Sequence, residues 1–148
     1  MAYEIEHKYL VINNSFREMA TGKVEIRQGY LNRNPDRTVR IRTMDSKGFL
    51  TVKSRNCGAK RLEFEYEIPG GDAEEIIKLA EPGIVEKTRW IVPFGGLIWE
   101  VDEFHGSQTG VIVAEVEIPE DGIKYEKPPF IGQDITGDPA YYCSNIKV

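Results

Sequence analysis

The sequence predicts a mainly β (α+β) fold: about eight meandering strands in one domain, closed into a barrel or stacked as a sandwich, with a few flanking helices. Short segments rich in β-branched and aromatic residues follow one another, broken by Gly, Pro, Asn and Asp. Most of these segments alternate charged and apolar residues at the two-residue period of a strand. The 148 residues contain no linker, internal repeat or low-complexity tract, so a single domain over 1–148 is expected.

In chain order the strands are expected at 3–11, 24–32, 37–44, 48–54, 61–68, 84–93, 97–104 and 111–118. The breaks between them fall at Asn32–Asp36, Asp45–Gly48, Asn56–Gly58, Gly70–Gly71, Gly95–Gly96 and Gly106–Gly110. A helix is expected over Asp72–Ala80, with Asp72 as its cap, Glu74 and Glu75 at its positive end and Pro82–Gly83 stopping it. A second helical stretch is expected within Asn14–Ala20. The tail after Pro119 reads as irregular, with Pro128–Pro129, and is expected to wrap or plug rather than pair.

Composition narrows the function classes. A hydrophobic share of 41% with 29% charged residues is ordinary for a folded soluble protein. No apolar run approaches the ~20 residues that span a bilayer, and MAYEIEHK lacks a basic-then-apolar leader pattern. Two cysteines, Cys57 and Cys143, do not make a disulfide framework, so the cytoplasm is the expected location. The net charge of −5 argues against a general nucleic-acid binder. It does not exclude an anionic ligand, because cations can concentrate in one cavity of an acidic protein.

The placement of charge within the strands is the most informative feature. Residues i and i+2 of a strand share a face. At that period Glu4, Glu6 and Lys8 fall together, as do Arg40 with Arg42, Lys53 with Arg55, and Arg61 with Glu63 and Glu65. The same holds for Lys87 with Arg89, Glu100 with Asp102, and Glu115 with Glu117. A half-exposed sheet with cross-strand ion pairs explains any one strand. It does not explain faces made almost wholly of Arg, Lys, Glu and Asp, or whole strands of one sign. A barrel of about eight strands has room for one small ligand, so these faces can point inward. Glu4, Glu6, Glu115 and Glu117, with Glu100 or Asp102 nearby, then repel one another until a hard cation such as Mg²⁺ or Mn²⁺ joins them. Lys8, Arg40, Arg42, Lys53, Lys87 and Arg89 form a cationic wall with more charge than a monophosphate requires; a triphosphate fits it.

These residues also resemble a known family. EIEHK at 4–8 is similar to the ExExK signature of the CYTH superfamily, the triphosphate tunnel metalloenzymes. It is followed in order by RIR at 40–42, TVK at 51–53, RLEFE at 61–65, EKTR at 86–89, WEVDEF at 99–104 and AEVEIP at 114–119. RQGYL at 27–31 and PPFIGQDIT at 128–136 resemble the short bacterial members, the inorganic triphosphatases. The resemblance implies an eight-stranded antiparallel β-barrel holding a triphosphate with one or two divalent cations. Glu4, Glu6, Glu115 and Glu117, with Asp102, become candidate metal ligands. Lys8, Arg40, Arg42, Lys53, Arg61, Lys87 and Arg89 become candidate substrate ligands, and Glu115, Glu117, Lys87 and Tyr30 candidate catalytic residues. Arg61, Glu63 and Glu65 fit the lumen equally well as one another's partners, and Glu100 is a further lumen candidate. Tyr30 serves either a phosphate oxygen or barrel packing. Relatives place an asparagine where Cys143 stands, which leaves the C-terminal plug open.

The expected activity is metal-dependent hydrolysis of inorganic triphosphate, a small anionic partner, with no nucleic-acid or membrane partner and with room for a homodimer. The alternatives are an adenylate cyclase or a thiamine or nucleoside triphosphatase on the same fold, and a polyphosphate-binding module without turnover. His7, Trp90 and Trp99 alternate away from the charged faces, and His105 and Cys57 read as exposed. No glycine-rich phosphate loop precedes a helix.

Overall fold

In the computed structural model, which describes residues 3–141, the chain meanders through nine strands and two helices. The order is β1 (Tyr3–Val11), α1 (Phe16–Met19), β2 (Gly22–Asn32), β3 (Arg37–Met44), β4 (Lys47–Ser54), β5 (Lys60–Ile68), α2 (Gly70–Ile77), β6 (Val85–Phe94), β7 (Leu97–Phe104), β8 (Ile112–Glu117) and β9 (Ile131–Asp134). Neighbours run β5-β4-β3-β2-β6-β7-β8-β1, and β1 pairs with β5 to close an eight-stranded antiparallel barrel. That seam is short, joining Tyr3, Glu4 and Ile5 to Leu62, Arg61 and Lys60.

Beyond the seam the free edge of β1 is taken by β9, with Tyr9 opposite Asp134 and Val11 opposite Ile131. The tail therefore pairs, contrary to the irregular plug expected from its prolines. The pairing begins two residues after Pro129, where the missing N–H no longer interrupts a ladder. Position 143 lies outside the described residues.

The barrel inverts the usual arrangement, with a polar interior and apolar outer walls that need cover. The outward faces of β1, β6, β7 and β8 bury Tyr9, Val92, Trp99, Val101, Ala114 and Val116 beneath Phe16 of α1 and Ile118 and Phe130 of the tail. On the opposite wall Ala73 and Ile77 of α2 pack on Ile41 of β3. The strands approach this helix and the turn that follows it closely at two glycines. A Cβ on Gly29 would lie 2.7 Å from Ala80 Cβ, and one on Gly48 would lie 2.6 Å from Ala73 Cβ. The RQGYL glycine is thus a packing requirement.

α1 is a single turn, shorter than Asn14–Ala20: Asn13 Oδ1 accepts the Ser15 N–H just ahead of it, and Ala20 already turns extended. α2 starts at Gly70 behind Pro69 and ends at Ile77, so Asp72 lies in its first turn and does not cap it. Pro at the entry suits a helix whose first N–H groups have no intrahelical partner. Among the described residues no helix is long and apolar enough to cross a membrane.

Candidate active site

Alternation within the strands delivers the charged faces to the lumen. A cavity of about 820 Å³ runs into the barrel. Seven carboxylates (Glu4, Glu6, Glu63, Glu65, Glu100, Glu115, Glu117) and eight cations (Lys8, Arg40, Arg42, Lys53, Arg55, Arg61, Lys87, Arg89) line it, together with Tyr30. The signs are sorted by strand order. The consecutive strands β7, β8 and β1 carry most of the acids, while β6, β3 and β4 carry cations across the lumen. At one end the inner faces turn apolar: Val85, Phe104, Val113 and Ile135 pack together with Leu10, Val111 and Tyr141. Thr136, Gly137 and Pro139 of the tail line the cavity, and the Tyr141 carbonyl accepts a hydrogen bond from Lys8 Nζ at 3.3 Å.

The two arcs neutralise each other by ion pairs. Glu4 accepts from Lys53 at 3.3 Å and Arg61 at 3.2 Å, and Glu63 pairs with Lys53 at 3.0 Å. Glu65 lies 3.5 Å from Arg42 and 3.9 Å from Arg40, and Thr51 Oγ1 bridges Arg40 and Glu65 at 3.3 Å to each. Glu115 pairs with Lys8 at 3.2 Å, and Arg89 with Glu100 at 3.2 Å.

Asp102, expected as a further metal ligand, lies apart from the four glutamates' cavity-lining faces. It is fully buried, does not line the cavity, and has both oxygens occupied. Lys87 Nζ lies 2.7 Å from Oδ2, Arg89 Nε donates to Oδ1 at 2.8 Å, and a second Arg89 nitrogen donates to Oδ2 at 3.0 Å. Burial pushes its carboxyl upward, but Arg89 and Lys87 outweigh that and hold it at about 2. Asp102 anchors two cations of the wall.

Glu6 and Glu117 face each other across the β1–β8 ladder, next to Glu4 and Glu115. Among the described residues neither forms an ion pair. Burial, then Glu115 and Glu4, drives the Glu6 carboxyl well above 4.5; burial, then Glu4, Glu63 and Glu100, raises Glu117. By contrast, burial of Glu115 and Glu4 is overcome by cations, Lys8 first for Glu115 and Lys53 first for Glu4, leaving Glu4 at about 2. No three Asp, Glu, His or Cys side chains among the described residues are already gathered as a metal cage. Lys53, Arg61 and Lys8 hold two of the four carboxylates back. The donor set nonetheless fits a hard cation, since four adjacent carboxylates, two of them unpaired, suit oxygen-coordinated Mg²⁺ or Mn²⁺.

A stability consequence follows for Glu6. A carboxyl raised on folding adds stability below its unfolded pKa and loses it as pH rises through the folded value. Glutamine mimics the protonated form at every pH. Glu6→Gln is therefore expected to raise the Tm of metal-free protein at pH 7.5 by roughly 2–5 °C, with the gain shrinking toward pH 4. Thermal melts in chelator across that range check it.

All the sequence-predicted lumen residues except Asp102 line this one cavity. Tyr30 is buried in it, with the Arg33 guanidinium 5.0 Å from its ring. His7 points outward, hydrogen-bonded through Nδ1 to Tyr125. His105 is half-buried with Nε2 2.7 Å from Thr88 Oγ1, so it is less exposed than expected. Cys57 is exposed. Thr51 was legible from its place two residues before Lys53. Arg55, one residue past β4, lines it as its alternation with Lys53 suggests, whereas the tail residues reach the cavity through loops, which carry no period.

The sequence profile of the CYTH domain matches residues 2–142. The chain belongs to the CYTH domain family. An inorganic triphosphatase from Acetivibrio thermocellus is 45% identical over 147 residues, covering 99% of this chain and 94% of the relative. The solved inorganic triphosphatase NE1496 superposes with a TM-score of 0.65 at 29% identity, over 98% of this chain and 94% of that one. PH1012 from Pyrococcus horikoshii OT3 has a TM-score of 0.64 at 20% identity, over 80% and 79% of the two chains, and shares the fold. This CYTH barrel carries both walls of its lumen on a closed eight-stranded frame.

Proposed function

We propose that this CYTH protein hydrolyses inorganic tripolyphosphate with a divalent cation, Mg²⁺ or Mn²⁺, in the cytoplasm. The observation that carries this reading is the sorted lumen, a wall of cations across from four adjacent carboxylates in one cavity. Its relatives named as inorganic triphosphatases support it.

Lys8, Arg40, Arg42, Lys53, Arg61, Lys87 and Arg89 bind the phosphoryl oxygens and hold the chain extended for in-line attack. Glu4, Glu6, Glu115 and Glu117 hold the cation, which supplies charge neutralisation on the phosphoryl group. Glu117, unpaired and raised, accepts the proton of the attacking water, while Lys87 and Arg89 stabilise charge on the departing pyrophosphate. Tyr30 donates to a phosphate oxygen.

Ligand entry is an exchange of partners. Phosphate takes the lysines and arginines from Glu4, Glu63, Glu65 and Glu115, and Glu4 and Glu115, once released, would join Glu6 and Glu117 in holding the divalent cation. Each ligand alone leaves one wall unpaired, so the two bind with positive linkage. Calorimetric titration of a hydrolysis-resistant imidotriphosphate is expected to give at least about ten-fold tighter binding with Mg²⁺ than with chelator. Equal affinities contradict the exchange. Substrate identity is tested by phosphate release from tripolyphosphate, ATP and thiamine triphosphate, with cyclic AMP scored in the ATP reaction. A kcat/KM favouring tripolyphosphate is expected; cyclic AMP as the main product overturns the reading.

A further inference from the structure

Gln28 is fully buried, yet neither its Nε2 nor its Oε1 has a hydrogen-bond partner among the described residues. It occupies the inner face of β2, two residues from Tyr30, which lines the tunnel. Its cross-strand neighbour on the β6 side is Val85, which offers only carbon. On the β3 side it stands opposite Arg42, whose own Nε is buried and without a partner. Arg42 reaches Glu65 only through a terminal nitrogen, at 3.5 Å. A buried amide with no partner is costly, and leucine or methionine would fill a similar space without that cost. The arginine is under-neutralised as well: burial, then Arg40 and Arg89, lowers it to about 10.

We infer that Gln28 is a positioning residue for the substrate-bound orientation of Arg42, an assignment that rests on the tripolyphosphate reading above. In the ligand-free lumen Glu65 draws the guanidinium toward β5. When a phosphoryl group replaces Glu65 at the terminal nitrogens, the guanidinium turns, and its Nε–H donates to Gln28 Oε1. The amide dipole then fixes the plane of the fork against the innermost phosphoryl group, where bidentate geometry matters. Gln28 does not line the cavity, so it acts through Arg42 and has no contact with the substrate.

The test is a double-mutant cycle of Gln28→Leu with Arg42→Lys, since lysine keeps the charge but has no Nε–H of that geometry. The readouts are Tm, the Tm shift produced by imidotriphosphate with Mg²⁺, and KM and kcat for tripolyphosphate. Gln28→Leu alone is expected to melt no lower than wild type, to raise KM about ten-fold and to shrink the ligand-induced shift. In the Arg42→Lys background it is expected to change KM less than about two-fold. If Gln28→Leu does not fold, Gln28→Met is read in the same way. A wild-type KM in the single variant, or additive effects in the cycle, overturns the assignment while leaving tripolyphosphate hydrolysis standing. Wild-type protein that neither binds nor hydrolyses tripolyphosphate overturns both.

Discussion

Asp102→Asn is expected to destabilise the protein by about 3–5 kcal/mol, lowering Tm by roughly 10 °C. The reason is local. Asp102 is the common counter-ion of Lys87 and Arg89, all three are buried, and asparagine offers one acceptor oxygen and no charge. Two cations in a low-dielectric wall then lose their shared counter-ion, and Glu100 alone does not replace it for Arg89. Turnover should fall at least about 100-fold as well, because the two side chains lose the anchor that aims them. A metal ligand at this position would behave differently, with weaker metal binding and little change in the Tm of metal-free protein. The pH dependence has a matching sign. Asp102 is held at about 2, below its ordinary 3.8, so its contribution is full above that ordinary value and is lost as pH falls through 2. Acid melts of wild type and Asp102→Asn should therefore draw together below the ordinary 3.8 and converge only below about pH 2.

Glu115→Gln is expected to show the opposite division, with a folded protein and little catalysis. Glu115 sits between Lys8 on β1 and Glu100 on β7, at the centre of the acidic arc. Removing its charge weakens cation binding, and kcat should fall at least about 10²-fold. The affinity for imidotriphosphate in chelator should hold or improve, because one carboxylate fewer opposes the anion. A module that only binds polyphosphate has no turnover to lose, and in it the variant would differ from wild type by affinity alone.

The lumen was legible because strand alternation has a period that needs no tertiary information: Glu4, Glu6, Lys8 and their counterparts reach one cavity because residues two apart share a face. The division of labour among them was not legible. Glu100 and Asp102 are equivalent in sequence, yet one lines the cavity and the other is covered by the cations it holds, which depends on cross-strand register. Gln28 was passed over because a neutral amide in a strand of mixed residues has no charge to mark it. The β9 pairing escaped for a related reason, since the edge it covers exists only where β1 diverges from β5. Helix α2 started earlier than its acidic residues suggested because Pro69, not Asp72, sets the entry.

The most direct measurement is a crystal structure of wild-type protein with imidotriphosphate and Mn²⁺, using the anomalous signal of manganese. Partner exchange in the lumen predicts the metal among Glu4, Glu6, Glu115 and Glu117, the phosphoryl groups on Arg40, Arg42, Lys53, Lys87 and Arg89, and Asp102 still bound to Lys87 and Arg89. Manganese on Asp102, or a lumen whose internal ion pairs persist with the analogue bound outside the barrel, would contradict it.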